Sequence, residues 1–204
     1  MHVKKGLGKN KRLLVFAGIL SILVFAFILT FLNSFFVLDY GIKSFFDSIQ
    51  NNFVVRIMSI ISFSASWQVI SVVLVVICGF CLIKRKSWEL MFFVVNGAFL
   101  LFVEFILKNL VHRIRPTDFL NDFSFPSNHV LAAILFYWSL AYLLKDKWKH
   151  FSLFLFVLPF FVAFSRLYLG AHWFSDVFAS FFLGVFWLCF SFLIFFGGFS
   201  KKKK

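Results

Sequence analysis

The chain has 204 residues, of which 62% are hydrophobic, 23% aromatic and 14% charged, and its formal net charge is +13. A soluble domain is about half apolar and about a quarter charged, so this composition excludes disorder and leaves too little polar side chain to cover a water-exposed surface. A spanning helix takes roughly 20 residues, so one membrane-embedded domain of about six or seven helices over residues 1–204 is expected, with no second folded domain.

Leu13 to Leu32 is a charge-free apolar stretch of 20 residues that follows a basic start. It is longer than a signal-peptide core and no small-residue cleavage site follows, so it reads as an uncleaved first span. Over Asp39–Phe63, apolar residues from Ile42 to Ile60 recur mostly at three- or four-residue spacing around Lys43, Asp47 and Arg56, the pattern of an amphipathic helix lying in the interface. Trp67–Ile83 is the second span and Leu90–Leu107, carrying Glu104, the third. Phe119–Asn128 reads as loop, broken by Pro126. His129–Leu144 is the fourth span, Phe151–Phe164 opens the fifth with Pro159 as a kink, and His172–Phe196 is the sixth. The expected fold class is therefore all-α and polytopic, with six transmembrane helices and an interfacial helix between the first two.

The positions of the cations fit this count. Fifteen of the 21 Lys and Arg fall in four clusters, at Lys4–Arg12, Lys84–Lys86, Lys145–Lys149 and Lys201–Lys204, each beside an apolar segment. Six spans put all four on one side, which the positive-inside rule makes cytoplasmic together with both termini, in a multi-pass plasma-membrane protein. These clusters read as topological charge in contact with anionic lipid, not as a nucleic-acid footprint. Cys78, Cys81 and Cys189 lie inside apolar runs and read as small buried hydrophobes, not a redox or metal site. Trp67, Trp88, Trp148 and Trp173 fit an interfacial belt.

Of the six outer cations, Lys108, Arg113, Arg115 and Arg166 stand at ends of the third to sixth spans, against the topology rule, and so need another reason. Three stretches supply one: Lys108 to Arg115-Pro116, Pro126-Ser127-Asn128-His129, and Ser165-Arg166 to Gly170, His172 and Asp176. Lys108, Arg115 and Arg166 suit the oxygens of a phosphate. Ser127 and the backbone amides near Asn128 open the fourth helix, a further anion-binding device. His172 and Asp176, four apart, would share a face of the sixth helix, so that the carboxylate orients the imidazole. His129 could donate a proton. Glu104 would pair with Lys108 one turn away, His112 and Arg113 would face solvent or head groups, and Asp118 and Asp122 would belong to a lid or turn.

These stretches resemble the three motifs of the type 2 phosphatidic acid phosphatase superfamily, which also includes the vanadate-dependent haloperoxidases: K-x6-R-P, P-S-G-H and S-R-x5-H-x3-D. Lys108, Arg115 and Pro116 match the first, and Ser165, Arg166, His172 and Asp176 the third. In the second, Asn128 replaces the usual Gly, and Asn tolerates the left-handed angles that a phosphate-cradling turn would use. The resemblance, with its motif core at 108–176, implies a phosphatase that needs no metal and no cofactor. In it His172 attacks phosphorus, Asp176 orients His172, His129 protonates the leaving oxygen, and Lys108, Arg115, Ser127, Asn128 and Arg166 bind the phosphate. The implied partner is a lipid phosphate or pyrophosphate at the extracytoplasmic face. Undecaprenyl pyrophosphate comes first, with phosphatidylglycerophosphate and phosphatidic acid behind it. A transporter or lipid-binding scaffold is the competing class, and it would leave the histidines and cations unexplained.

Overall fold

A computed structural model describes residues 11–117 and 122–197. The expectations that concern Lys4, Lys5, Lys9, Asp118 and Lys201–Lys204 lie outside the described residues. Among those described, the chain is helical and contains no strand. It is a polytopic all-α membrane protein. Five helical segments are long and apolar enough to cross a membrane, and the 17-residue apolar helix Asn128–Leu144 is a sixth, shorter one.

The first span, α1 (Lys11–Thr30), runs into a short 3-10 turn, Leu32–Phe35. The expected single amphipathic helix is instead two, α2 (Phe36–Ser48) and α3 (Asn52–Ser64). The break has a local cause: the side chain of Asn51 caps α3 by accepting from the Phe53 amide. It also has a tertiary one. Tyr168 Oη accepts from the Asn51 amide at 3.0 Å and donates to the Ile49 carbonyl at 3.2 Å, so the turn is fastened to the bundle.

Ser66 caps the second span, α4 (Trp67–Ile83), which begins at the expected residue. The third, α5 (Ser87–Val111), outlasts its apolar run by a full turn at Lys108–Val111. The fourth, α6 (Asn128–Leu144), contains a π-helical segment, Ile134–Trp138. The fifth, α7 (Lys149–Tyr168), continues unbroken through Pro159. The sixth, α8 (Phe174–Phe196), begins two residues after His172, so the sequence-based start is too early.

α6 is the axis of the bundle. Val130, Leu131, Ala133, Ile134 and Leu135 are fully buried, with α7 and α8 packed on either side. Gly184 of α8 lets α6 approach, because a Cβ there would stand 3.1 Å from Ile134 Cγ2. The polar groups at this depth are paired, as a low-dielectric interior demands: Asn96 accepts from Trp187 Nε1 at 3.0 Å and donates to Ser139 Oγ. α1 lies along α8, and α2 and α3 rest against α7. The ends of α5 and α7 and the starts of α6 and α8 therefore meet at one end of the bundle. Lys84–Lys86 and Lys145–Lys149 occupy the other.

Candidate active site

The loops at this shared end bring the three motif stretches together. The chain leaves α7 through Gly170, whose φ of +62° is the left-handed conformation that favours glycine. Its carbonyl accepts from Thr117 Oγ1, and a Cβ on it would come within 3.0 Å of Thr117 Cγ2. Two residues on, His172 is 4% exposed.

The hydrogen bonds of His172 define its tautomer. Nδ1 lies 2.7 Å from the Ser124 carbonyl, which can only accept, so Nδ1 carries the proton. Nε2 keeps its lone pair, and Arg115 Nη1 donates to it at 3.0 Å. Burial, and then the charges of Arg166 and Arg115, hold the imidazole well below its ordinary pKa, so the ring is neutral and Nε2 is nucleophilic.

Here the structure corrects the sequence. The partner of Nδ1 is the Ser124 backbone, and Asp176 Oδ2 stands 3.9 Å away. His172 precedes α8, so the two residues do not share a helical face. Asp176 instead accepts from the Trp173 amide at 3.0 Å and from Arg113 Nη1 at 2.5 Å. Arg113 does not face solvent or head groups. Its guanidinium bridges Asp176 to Asp39 of α2, with Nη2 to Asp39 Oδ2 at 2.6 Å, and lies over the Trp173 ring. Trp173 is correspondingly buried and takes no part in a membrane-facing belt.

The three cations line the same cavity as His172. Arg115 and Arg166 are buried, and Lys108 is largely so. Arg166 Nη1 donates to Ser62 of α3 at 2.5 Å. Arg166 Nε, Ser127 Oγ and Asn128 Oδ1 are buried with no protein partner. Orphaned polar atoms of this kind are costly, and a bound phosphate would satisfy the Arg and Ser donors. Ser127 is set in place by its backbone, which donates to Ser180 Oγ at 2.7 Å. Asn128 is the first residue of α6 and lies in no left-handed conformation, so replacing the usual Gly carries no backbone penalty. His129, Asn128, Arg115, Lys108, Arg166 and His172 all line one cavity of about 790 Å³.

Asp122 pairs with two of these cations. Its carboxylate receives Arg115 Nε and Nη2 at 2.7 and 2.9 Å and Lys108 Nζ at 2.5 Å. Partial burial raises its pKa, but the bonds and charges of Arg115 and Lys108 outweigh that and hold it at about 2. The expected Glu104–Lys108 pair is present at 3.3 Å, longer than the bond to Asp122. Asp122 thus belongs to the site, where the sequence suggested a lid or turn.

A buried neutral histidine with two guanidiniums beside it, lining one cavity with a lysine at the end of a helical bundle, has the chemistry to take part in phosphoryl transfer. Residues 88–199, more than half of the chain, match the PAP2 superfamily, and the chain belongs to that family. The crystal structure of a transmembrane PAP2-type phosphatidylglycerolphosphate phosphatase from Bacillus subtilis superposes with a TM-score of 0.74 at 27% identity, covering 94% of this chain and 98% of that one. LpxE of Aquifex aeolicus shares the fold, with a TM-score of 0.60 at 20% identity over 76% of this chain and 94% of its own. No curated protein sequence matches significantly. The protein is a membrane phosphatase acting on lipid phosphates.

Proposed function

We propose that the protein removes the phosphate from phosphatidylglycerophosphate or a closely similar lipid, through a phosphohistidine at His172. The observation that carries this reading is the Nδ1–H tautomer of His172, which leaves the Nε2 lone pair beside Arg115, in a cavity that Arg166 and Lys108 also line. Nε2 attacks phosphorus while the bond to the lipid oxygen breaks, and His129 gives that oxygen its proton. The three cations, Ser127 and Asn128 hold the phosphoryl oxygens as charge develops. Water then attacks the phosphohistidine, returns a proton to His129 and frees phosphate. The Nδ1 proton stays on the ring, donated to the Ser124 carbonyl, and Asp176 supplies negative charge beside the ring.

The cavity supports a lipid substrate. From Lys108 it descends between α4 and α5 past Glu104, Leu101, Ala98, Gly97 and Val94, where the walls are apolar and Ala98 and Leu101 are open to the bilayer. A head group at Lys108 can keep a chain in this cleft over about 20 Å, at 1.5 Å per helical residue. Undecaprenyl pyrophosphate ranked first from sequence. The likeness to the B. subtilis enzyme moves phosphatidylglycerophosphate ahead of it.

The site faces the extracytoplasmic side, because the basic loops at Lys84–Lys86 and Lys145–Lys149 close the opposite end. A cysteine placed at Asp47 in a background without native cysteines is labelled by a membrane-impermeant reagent from outside; labelling only from the cytoplasm reverses the orientation. Phosphate release from phosphatidylglycerophosphate, phosphatidic acid and undecaprenyl pyrophosphate by purified protein ranks the substrates. The highest kcat/KM is expected on phosphatidylglycerophosphate, and a clear preference for undecaprenyl pyrophosphate would restore the sequence-based ranking.

A further inference from the structure

Asp39 lies outside the three motifs and Arg113 at a variable position of the first, yet together with Asp176 they form a largely buried charged cluster beside the site. Asp39, 1% exposed, accepts from the Ser175 amide at 2.9 Å, from Ser175 Oγ at 2.7 Å and from Arg113 Nη2 at 2.6 Å. Arg113 Nη1 donates to Ser175 Oγ at 2.7 Å and to Asp176 Oδ1 at 2.5 Å. Two carboxylates share one guanidinium, so the cluster carries a formal negative charge in a place where charge is costly. Its far edge is Asp176 Oδ2, 3.9 Å from His172 Nδ1.

We infer that Asp39 and Arg113 are positioning residues for the phosphatase reaction, acting on His172 through Asp176 and Trp173. Two effects follow from the geometry. The first is placement. Trp173 follows His172 directly, and it is held by the Asp176 carboxylate at its amide, by the Ile114 carbonyl at its indole N–H, and by Arg113 and Tyr40 at its ring faces. The second is charge. When Nε2 bonds to phosphorus the ring becomes cationic, and a nearby carboxylate stabilises it only to the extent that Arg113 does not already neutralise that carboxylate. By taking a share of Arg113, Asp39 leaves Asp176 its negative charge. It does so from α2, a helix that is distant in sequence from every motif.

This inference rests on His172 being the nucleophile, and its test separates the two claims. Asp39→Asn, Arg113→Lys, the double variant and His172→Ala are assayed in detergent on dioctanoyl phosphatidic acid. Folded protein is quantified by size-exclusion chromatography and thermal midpoint. Asp39→Asn keeps shape and burial, and Arg113→Lys keeps charge but cannot bridge two carboxylates. Each is expected to lower kcat per folded enzyme by on the order of tenfold, the scale of one close charge interaction, with KM within about twofold. The double variant is expected to lose no more than the worse single variant, because the residues act as one unit. Wild-type kcat in Asp39→Asn, or fully multiplicative losses in the double variant, overturns the inference while the nucleophile reading stands, provided His172→Ala is inactive. Activity in His172→Ala overturns the reading beneath it.

Discussion

His172 is held neutral by burial and by two guanidiniums, and this makes a prediction about stability. Its folded pKa lies below the ordinary value of about 6.5, so below that pH the unfolded chain takes up a proton that the folded protein refuses. The stability this group contributes is complete above about pH 6.5 and is lost as pH falls, by up to about 1.4 kcal/mol per unit. The thermal midpoint of the wild type in detergent should therefore drop between pH 6.5 and 5, and His172→Gln should drop less. Asp122 offers a second residue-scale prediction. It pairs with Arg115 and Lys108, the cations proposed to bind the phosphate, so on that reading ligand and carboxylate compete. Asp122→Asn should lower the inhibition constant for vanadate and the KM for a lipid phosphate several-fold, and unchanged constants would show that the pairing does not oppose binding. The motif residues themselves were legible in the sequence because charge is rare in this chain and outer cations violate the topology rule. Ser124, Arg113 and Asp39 were not. A backbone carbonyl has no sequence signature, and an Arg–Asp pair separated by 74 positions gives no local signal.

At the scale of elements, the apolar runs located every span, and the errors fell where tertiary bonds decide. The amphipathic stretch divides at Ile49–Asn51 because Tyr168, more than a hundred residues away, binds that turn. α8 starts after His172 because Asp176, in its first turn, caps it through the Trp173 amide. α5 outlasts its apolar run because Lys108 finds anionic partners in Glu104 and Asp122. The turn joining α7 to His172 is the element most sensitive to a small change. Gly170→Ala adds a Cβ at positive φ against Thr117, at a cost of about 1 kcal/mol before any clash. It should lower the thermal midpoint by a few degrees and reduce kcat more than KM, since the displaced residue is His172 rather than a phosphate ligand. Equal changes in both constants would mean that the turn serves binding instead.

Over the whole molecule, a polar site at one end of the bundle opens into a largely apolar cleft between α4 and α5, proposed above to hold the lipid chain. A substrate with its tail in the bilayer can enter sideways without leaving the membrane. Ala98→Trp places an indole in the cleft, ten residues along α5 from Lys108. It should cut kcat/KM on a long-chain lipid phosphate at least tenfold and leave hydrolysis of para-nitrophenyl phosphate nearly unchanged. Equal losses on both would show that the cleft is not the route of the tail. The central claim, that His172 forms a bond to phosphorus, is tested most directly by rapid acid-free quenching with a ³²P-labelled lipid phosphate, followed by peptide mapping. The account predicts an acid-labile, alkali-stable label on the peptide containing His172, formed within the first turnover and absent from His172→Ala. Turnover by His172→Ala, or phosphate release from the wild type with no labelled histidine at any time in the first turnover, would contradict it.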